Sequence, residues 1–172
     1  MEHLKYPIGK FTAPEMITPA DIKAWTETIK TFPEKVRAKV ENLAEADLQK
    51  TYRPGGWTLR QLVHHCADSH MNAFIRFKLA LTEDTPVIKP YDEASWAEML
   101  DYLEMPIETS LKILEGLHAR WAFLLENLTE DQFQKQYTHP EHGKSFTLAF
   151  TVGMYSWHCN HHLAHMDLAI EN

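Results

Sequence analysis

The sequence is poor in cysteine. Its 172 residues include two cysteines, Cys66 and Cys159, which are isolated and do not form a Cys-x-x-Cys pair. An intracellular compartment keeps such thiols reduced, so we expect no disulfide framework. We interpret both as small apolar residues of the core, although each directly follows a histidine of interest.

Basic clusters and long apolar runs are also missing. A net charge of -7 and a pI of about 5.8 leave no basic patch, so we expect no nucleic acid or membrane surface as a partner. No apolar run follows a basic N-terminal start, and the least charged stretch, residues 145–166, contains Ser156, Asn160 and several histidines. We therefore predict a soluble cytoplasmic protein without a signal peptide or a membrane-spanning helix.

Strand-like alternation is absent too, and the chain has no internal repeat or low-complexity tract. Apolar residues recur instead every three or four positions, which predicts amphipathic helices in a single domain, residues 1–172. After an extended arm over 1–17, long helices are expected at 18 to about 43, 58 to 81, 106 to 128 and 147 to 170. Four such helices predict an all-α four-helix bundle.

Turns and prolines refine this prediction. Pro19 suits the first position of the first helix, and Pro33 should kink that helix or split it in two. Thr58 and Gln61 form a capping box where the second helix begins. The long link over 82–105 predicts a crossover along the bundle between the second and third helices. We expect a short helix around 92–100, a short helix or turn over 129–135 and a loop over 137–144.

The fourth helix contains four histidines within eight residues, from His158 to His165. His158 and His162 have the i, i+4 spacing that places two imidazoles on one helix face, and His161 and His165 have it as well. A helix presents two nitrogens to one metal ion in this way. The alternative is a buried helix whose imidazoles only find hydrogen-bond partners.

Helical phase favours His158 and His162 as the inward-facing pair. With that pair in the core, the residues turned outward are ones that water tolerates: Gly153, Ser156, Asn160, Ala164 and Asp167. With His161 and His165 at the centre of the buried face, the outward residues would be Val152, Cys159, Leu163 and Ile170. The first arrangement keeps the apolar residues covered, so we prefer it.

A second group of histidines, His64, His65 and His70, lies on the second helix. The polar stripe of this helix is either a solvated face or the wall of a cleft, and it consists of Gln61, His65, Asp68, Ser69, Asn72 and Arg76. One histidine of this group and the pair on the fourth helix would give three imidazoles and an open position. That is the pattern of a catalytic zinc-type site, in which a bound water is acidified toward a pKa of about 7.

Motifs over most of the chain carry a family resemblance. They are residues 6–11 (YPIGKF), 52–58 (YRPGGWT), 64–72 (HHCADSHMN), 75–79 (IRFKL), 90–93 (PYDE) and 157–165 (WHCNHHLAH). With these motifs the sequence resembles the DinB-like superfamily and, within it, closely the YfiT group of metal-dependent hydrolases. The resemblance implies an up-down-down-up four-helix bundle, a homodimer and one divalent metal per chain, zinc or nickel.

The resemblance also implies the ligands of that metal. The second-helix ligand of the family matches His65 rather than His64 or His70, and its His-x-x-x-His pair matches His158 and His162. Many relatives have a glutamine where this chain has His165, so His161 or His165 could also take part.

Three further residues are candidates for the chemistry. Asp68, one turn beyond His65, could orient a ligand imidazole or act as general base, although it could equally be a surface carboxylate. Arg76 could bind an anionic group of a small-molecule substrate, and Asn72 could line the pocket.

Three functions fit such a site. The first is a metal-dependent hydrolase, which needs a base within reach of the water. The second is an S-transferase for a low-molecular-weight thiol such as bacillithiol, which needs basic residues near the site, with Arg76 and Lys78 as candidates. The third is a metal-binding stress protein without turnover, favoured if no base lies near the metal.

Overall fold

The computed structural model of the chain describes residues 2–172. Its helices are α1 (Glu2–Lys5), α2 (Pro19–Val40), α3 (Leu59–Thr82), α4 (Glu93–Ala97), α5 (Leu100–Glu104), α6 (Glu108–Glu126), α7 (Glu130–Phe133) and α8 (Leu148–Glu171). A 3-10 helix covers Asp47–Gln49, and two strands complete the elements, β1 (Gln136–His139) and β2 (Lys144–Thr147). Within residues 2–172, no helix has the length and apolar character that a membrane span requires.

The four long helices, α2, α3, α6 and α8, form the predicted bundle. Helix α2 packs against α6 and α8, and α3 packs against the same two helices from the other side. Arg37 near the end of α2 pairs with Glu108 at the start of α6, so these two helices are antiparallel. Lys39 pairs with Asp167, and both residues lie near the C-terminal ends of their helices, so α2 and α8 are parallel.

Helix α3 runs in the same direction as α6. His64 near the start of α3 contacts Ser110 near the start of α6. His65, also near the start of α3, lies against His162 in the C-terminal half of α8, so α3 and α8 are antiparallel. Taken with α2, these directions give the up-down-down-up order and confirm the predicted topology.

The long connection between α3 and α6 follows from these directions. When two parallel neighbouring helices follow each other in the sequence, the link between them must return along the length of the bundle. Residues 83–107 form this crossover, and its helices α4 and α5 pack on α3. Where one short helix was predicted there are two, because Asp92 caps the start of α4 and a break at Glu98 and Met99 separates it from α5.

Local capping determines where the long helices begin. The predicted box of Thr58 and Gln61 is present at α3, and Thr18 forms an equivalent box with Asp21 at α2. Each box satisfies backbone N–H groups that a helix start leaves without partners. Pro33 does not split α2, which continues as one helix through Val40.

The segment after α6 agrees with the prediction in its first part and differs from it in its second. The short helix or turn predicted over 129–135 is a helix, α7, which begins at a third capping box, Thr129 with Gln132. The loop expected over 137–144 is a hairpin in which β1 and β2 pair antiparallel, with Tyr137 opposite Phe146. Four residues per strand are too few for a clear alternation in the sequence, which is why the hairpin was not predicted.

Helix α8 is covered on nearly all sides, which corrects part of the phase argument. Asn160 and Asp167 are exposed as expected. Gly153 and Ser156 are buried instead, because other parts of the chain cover the N-terminal half of the helix. A Cβ atom at position 153 would lie 2.9 Å from the Trp25 ring on α2. The prediction for Gly153 and Ser156 was wrong because α8 does not have one solvated face along its whole length.

Gly153 therefore supplies a test of this packing. We expect Gly153→Ala to lower the free energy of unfolding by about 1–3 kcal/mol, because the added methyl overlaps a packed indole ring. The matched control is Gly116→Ala on α6, where no atom lies within 4 Å of the new Cβ. There the better helix propensity of alanine should stabilise the chain by up to about 1 kcal/mol. Urea unfolding of both variants measures whether the free energy of unfolding falls or rises. Equal changes in the two variants would contradict the close packing at Gly153.

Candidate metal centre

Three histidines from two antiparallel helices meet at the centre of the bundle. The Nε2 atom of His158 lies 3.4 Å from Nε2 of His65 and 3.1 Å from Nε2 of His162. One ring nitrogen of each lies within 4.8 Å of the others, so all three can contact a single ion. His65 and His162 are buried, and His158 keeps some exposure. The structure thus brings together the three residues that the sequence and the family resemblance selected.

The donor set fits a divalent metal. With zinc–nitrogen bonds of about 2.0–2.1 Å, two nitrogens on a tetrahedral ion lie about 3.3 Å apart, close to the separations found here. Within residues 2–172, no cysteine, aspartate or glutamate joins this group. Three neutral nitrogens without a fourth protein ligand leave one position for water or substrate.

His165 determines which nitrogen of His162 carries the proton. The Nε2 atom of His165 lies 3.2 Å from the carbonyl oxygens of Leu4 and Lys5. A carbonyl only accepts, so His165 donates from Nε2 and its Nδ1 accepts the hydrogen bond from Nδ1–H of His162, 3.3 Å away. The Nε2 lone pair of His162 is then free and points into the site.

His158 has two possible tautomers. With its proton on Nε2 it would donate to His162, 3.1 Å away, and fill the space between the ligands. With its proton on Nδ1 its Nε2 lone pair would face the same space. The Nδ1 atom of His158 lies 3.0 Å from Nε2 of His70, so the choice depends on His70.

Burial keeps the three imidazoles neutral. Burial, with a smaller contribution from the neighbouring His161 and His165, lowers the pKa of His65 to about 3. The pKa values of His158 and His162 also lie well below the ordinary range, mainly because of burial. Neutral imidazole is the form that binds a metal.

The other histidines have different partners. His64 is held by the Ser110 hydroxyl at 2.7 Å and the Met105 carbonyl at 3.0 Å, away from the three ligands. His161 stacks on Trp157 with a ring-centroid distance of 4.4 Å, and its buried Nδ1 has no hydrogen-bond partner among residues 2–172. A second possible group, formed by His161, His162 and His165, shares His162 with the first. In this second group His162 and His165 contact each other through their Nδ1 atoms, 3.3 Å apart.

Asp68, Asn72 and Arg76 lie on α3 but do not join the three histidines. The Asp68 carboxylate accepts a hydrogen bond of 2.7 Å from the Tyr102 hydroxyl on α5, and burial raises its pKa. The Asn72 side chain donates to the Asp68 backbone carbonyl at 2.9 Å, within its own helix. Arg76 is 8% exposed. The polar stripe of α3 is therefore largely buried rather than solvated.

The fold agrees with comparisons to known proteins. The family model described as the DinB superfamily matches residues 28–166. The chain belongs to the DinB superfamily. This span begins within α2 and ends near the C-terminal end of α8, so it contains all three histidines of the site.

Several DinB relatives are similar over almost their whole length. The chain is 47% identical over 166 residues to "Putative metal-dependent hydrolase BH0277" of Halalkalibacterium halodurans, covering 96% of each chain. It is 44% identical over 164 residues to "Putative metal-dependent hydrolase YfiT" of Bacillus subtilis, covering 95% of this chain and 92% of that one. The solved structure of YfiT, described as "a probable metal-dependent hydrolase with an unusual four-helix bundle topology", superimposes with a TM-score of 0.95 over 98% of this chain and 97% of that chain.

Sequence reasoning missed two groups of residues around this DinB site. His118 on α6 contacts His70 at 2.7 Å, yet it stands outside both histidine clusters. The carbonyls of Leu4 and Lys5 reach His165 from a segment that was expected to be only an extended arm. Both contacts join residues far apart in the sequence, so no local pattern signals them.

Removing a ligand should abolish metal binding and leave the fold intact. We expect about one zinc per chain in the untagged wild type, and at least about 100-fold weaker binding in His65→Ala, His158→Ala and His162→Ala. The matched control is His142→Ala, which removes an exposed histidine of the hairpin. Competition with a chromophoric chelator measures the affinity for zinc, and far-UV circular dichroism measures the helical content. Unchanged affinity in the three variants would exclude this centre.

Acidification should destabilise the metal-free chain. A histidine titrates near pH 6.5 when unfolded, whereas burial lowers the pKa of His65 to about 3 and that of His118 to about 4. Between pH 6.5 and these lower pKa values, the unfolded chain binds more protons than the folded chain does. The free energy of unfolding therefore falls as the pH falls. We expect a lower melting temperature at about pH 5 than at about pH 7.5 in the presence of a chelator. A melting temperature that stays constant or rises on acidification would show that these histidines are already charged in the folded chain.

Proposed function

We propose that this chain is a metal-dependent hydrolase. The observation that carries the proposal is the convergence of three imidazole Nε2 atoms without a fourth protein ligand among residues 2–172. The names of the DinB relatives support it, since they too describe metal-dependent hydrolases.

In this proposal His65, His158 and His162 hold one divalent metal, zinc or nickel. Imidazole suits both ions, so the ligand set alone does not choose between them. When bound, such an ion supplies Lewis acidity that lowers the pKa of a water or a thiol entering the open position. The residues themselves contribute neutral nitrogens, because burial disfavours their protonation.

We propose Arg76 as the group that binds an anionic part of a small-molecule substrate. Arg76 is buried, and no carboxylate of residues 2–172 forms an ion pair with it. Its charge acts on the buried phenols of Tyr91, Tyr137 and Tyr155, in each case opposing the rise in pKa that burial causes. The Tyr155 ring lies 5.5 Å from that of His158, which connects this region to the metal ligands. The Arg76 charge also opposes the rise in the pKa of the Glu93 carboxyl that burial causes. A substrate anion would bind beside the same guanidinium, which offers several N–H donors.

A hydrolase also needs a general base within reach of its water. Asp68 was the candidate, and its carboxylate accepts a hydrogen bond from Tyr102 rather than from any of the three histidines. Its pKa is raised by burial, which suits a base, so we retain the role for Asp68 as a proposal.

This arrangement favours a second candidate function, transfer to a low-molecular-weight thiol. A thiol that enters the open position needs no carboxylate base, because coordination itself favours the thiolate. The absence of an aspartate or glutamate from the group of ligands, within residues 2–172, is the specific observation in its favour. Arg76 would then bind an anionic group of the thiol or of its acceptor.

One experiment separates these functions. The zinc-loaded protein is incubated with esters, amides and electrophilic alkylating agents, with and without small thiols, and the products are identified by mass spectrometry. Products of water addition that do not require thiol support the hydrolase, and thiol adducts alone support the transferase. His162→Ala controls for contaminating enzymes. If neither product depends on the protein, the metal-binding protein without turnover is the remaining function.

The same assay tests Arg76. We expect Arg76→Gln to raise KM for anionic substrates by about 10- to 100-fold, because a charge-assisted hydrogen bond in a buried place is lost. Zinc content should remain at about one per chain. Lys78→Gln is the matched control, since Lys78 is an exposed cation on the same helix. Equal effects of the two substitutions would contradict a specific role for Arg76.

We also propose the homodimer and the cytoplasmic location that the family resemblance and the composition suggest. Sedimentation velocity of the untagged protein tests the first, and cell fractionation tests the second.

A further inference from the structure

A proline in α2 leaves one backbone carbonyl without its helical partner. In an α-helix the carbonyl of residue 29 accepts from the N–H of residue 33. Residue 33 is Pro33, which has no N–H, and its ring also crowds the carbonyl of Ile29. Both residues are buried, so water is not the natural replacement.

His118 takes the place of the missing donor. Its Nδ1 atom lies 2.5 Å from the Ile29 carbonyl oxygen, and the ring is fully buried. A carbonyl has only lone pairs, so the proton of the neutral His118 ring must be on Nδ1. The Nε2 atom of His118 is then an acceptor.

The same reasoning extends to His158 in two steps. Nε2 of His118 lies 2.7 Å from Nδ1 of His70, so His70 donates from Nδ1 and its Nε2 becomes an acceptor. Nε2 of His70 lies 3.0 Å from Nδ1 of His158, so His158 donates from Nδ1. Its Nε2 lone pair is left facing His65 and His162.

We propose that His118 and His70 are positioning residues that use the carbonyl freed by Pro33 to fix His158 in its metal-binding tautomer. This inference rests on the proposed metal centre. The chain of hydrogen bonds has one direction only, because it starts at a group that cannot donate. It also passes through all four long helices, from Ile29 on α2 through α6 and α3 to His158 on α8.

A purely structural role would give different behaviour. A histidine that only fills space at position 118 could be replaced by an apolar residue of similar volume without changing the proton position on His158. A positioning residue must be replaced by a side chain that both donates and accepts. Glutamine has this property, since its amide carries a donor nitrogen and an acceptor oxygen side by side.

The first test compares His118→Leu with His118→Gln by their affinity for zinc alone. We expect His118→Leu to weaken binding by about 10- to 100-fold, because His70 loses the acceptor that holds its proton on Nδ1 and so no longer has to accept from His158. His118→Gln should remain within about threefold of wild type, because it can still donate to Ile29 and accept from His70. Equal affinity of wild type and His118→Leu, with the helical content retained, overturns the proposal.

The second test changes the helix rather than the histidine, and it remains available if His118→Leu does not fold. Pro33→Ala restores the N–H that shares the Ile29 carbonyl with His118 and weakens its hold on that ring, so we expect zinc binding to weaken by about tenfold. Pro19→Ala is the matched control, because the N–H that it adds at the start of α2 has no helical carbonyl to bind and does not reach Ile29. The affinity of Pro19→Ala for zinc should stay within about twofold of wild type. An unchanged affinity of Pro33→Ala would contradict the role of the proline.

The third test does not depend on metal binding. Long-range proton–nitrogen NMR correlations of the metal-free wild type report which nitrogen of His158 carries the proton. We expect Nδ1–H in wild type and in His118→Gln, and a mixture of tautomers in Pro33→Ala. A proton on Nε2 of His158 in wild type overturns the proposal. If wild type bound no zinc, the proposed function would fail, and this measurement alone would decide the inference.

Discussion

The burial of imidazole rings is the constraint on which the rest of this structure depends. Seven histidines, His64, His65, His70, His118, His161, His162 and His165, are less than a tenth exposed. Burial lowers the pKa of each, so the core holds them as neutral rings. A neutral ring has one donor and one acceptor, and each is costly to leave without a partner in an apolar core. His64, His70, His118 and His165 have a partner at both ring nitrogens, so the helices that carry them pack with matched hydrogen bonds as well as matched apolar surfaces. The buried Nδ1 atoms of His65 and His161 have no partner among residues 2–172.

The up-down-down-up order meets this requirement for His158. Helix α6 lies between α2 and α3, so His118 can contact Ile29 on one side and His70 on the other. Helix α3 lies between α6 and α8 and carries both His70 and the ligand His65. A bundle in which all neighbouring helices are antiparallel would not need the crossover over 83–107. It would, however, place α2 diagonally opposite α6 and α3 diagonally opposite α8, so that neither pair would be in contact.

Much of the fold could be predicted from the sequence because its signals are local. Apolar periodicity and capping residues lie within the helices that they specify, so the bounds of α2, α3, α6 and α8 were predicted to within a few residues. The i, i+4 spacing of His158 and His162 is local as well, whereas His65 came from the family resemblance. The role of His118 was not predictable, because its partner Ile29 is 89 residues away. The partners of Asp68 and His165 likewise come from distant segments, and the burial of Gly153 depends on the packing of another helix.

The N-terminal segment connects the surface of the protein to the metal centre. The carbonyls of Leu4 and Lys5 lie at the end of α1, where a helix leaves its last carbonyls without backbone donors, and His165 uses them. His165 in turn orients His162. Leu4 and Lys5 are thus separated from His162 by only two hydrogen bonds. A fusion tag or a shortened N-terminus would change a segment that lies this close to His162. At the proposed metal centre, a change at this terminus would therefore alter how His162 presents its Nε2 lone pair.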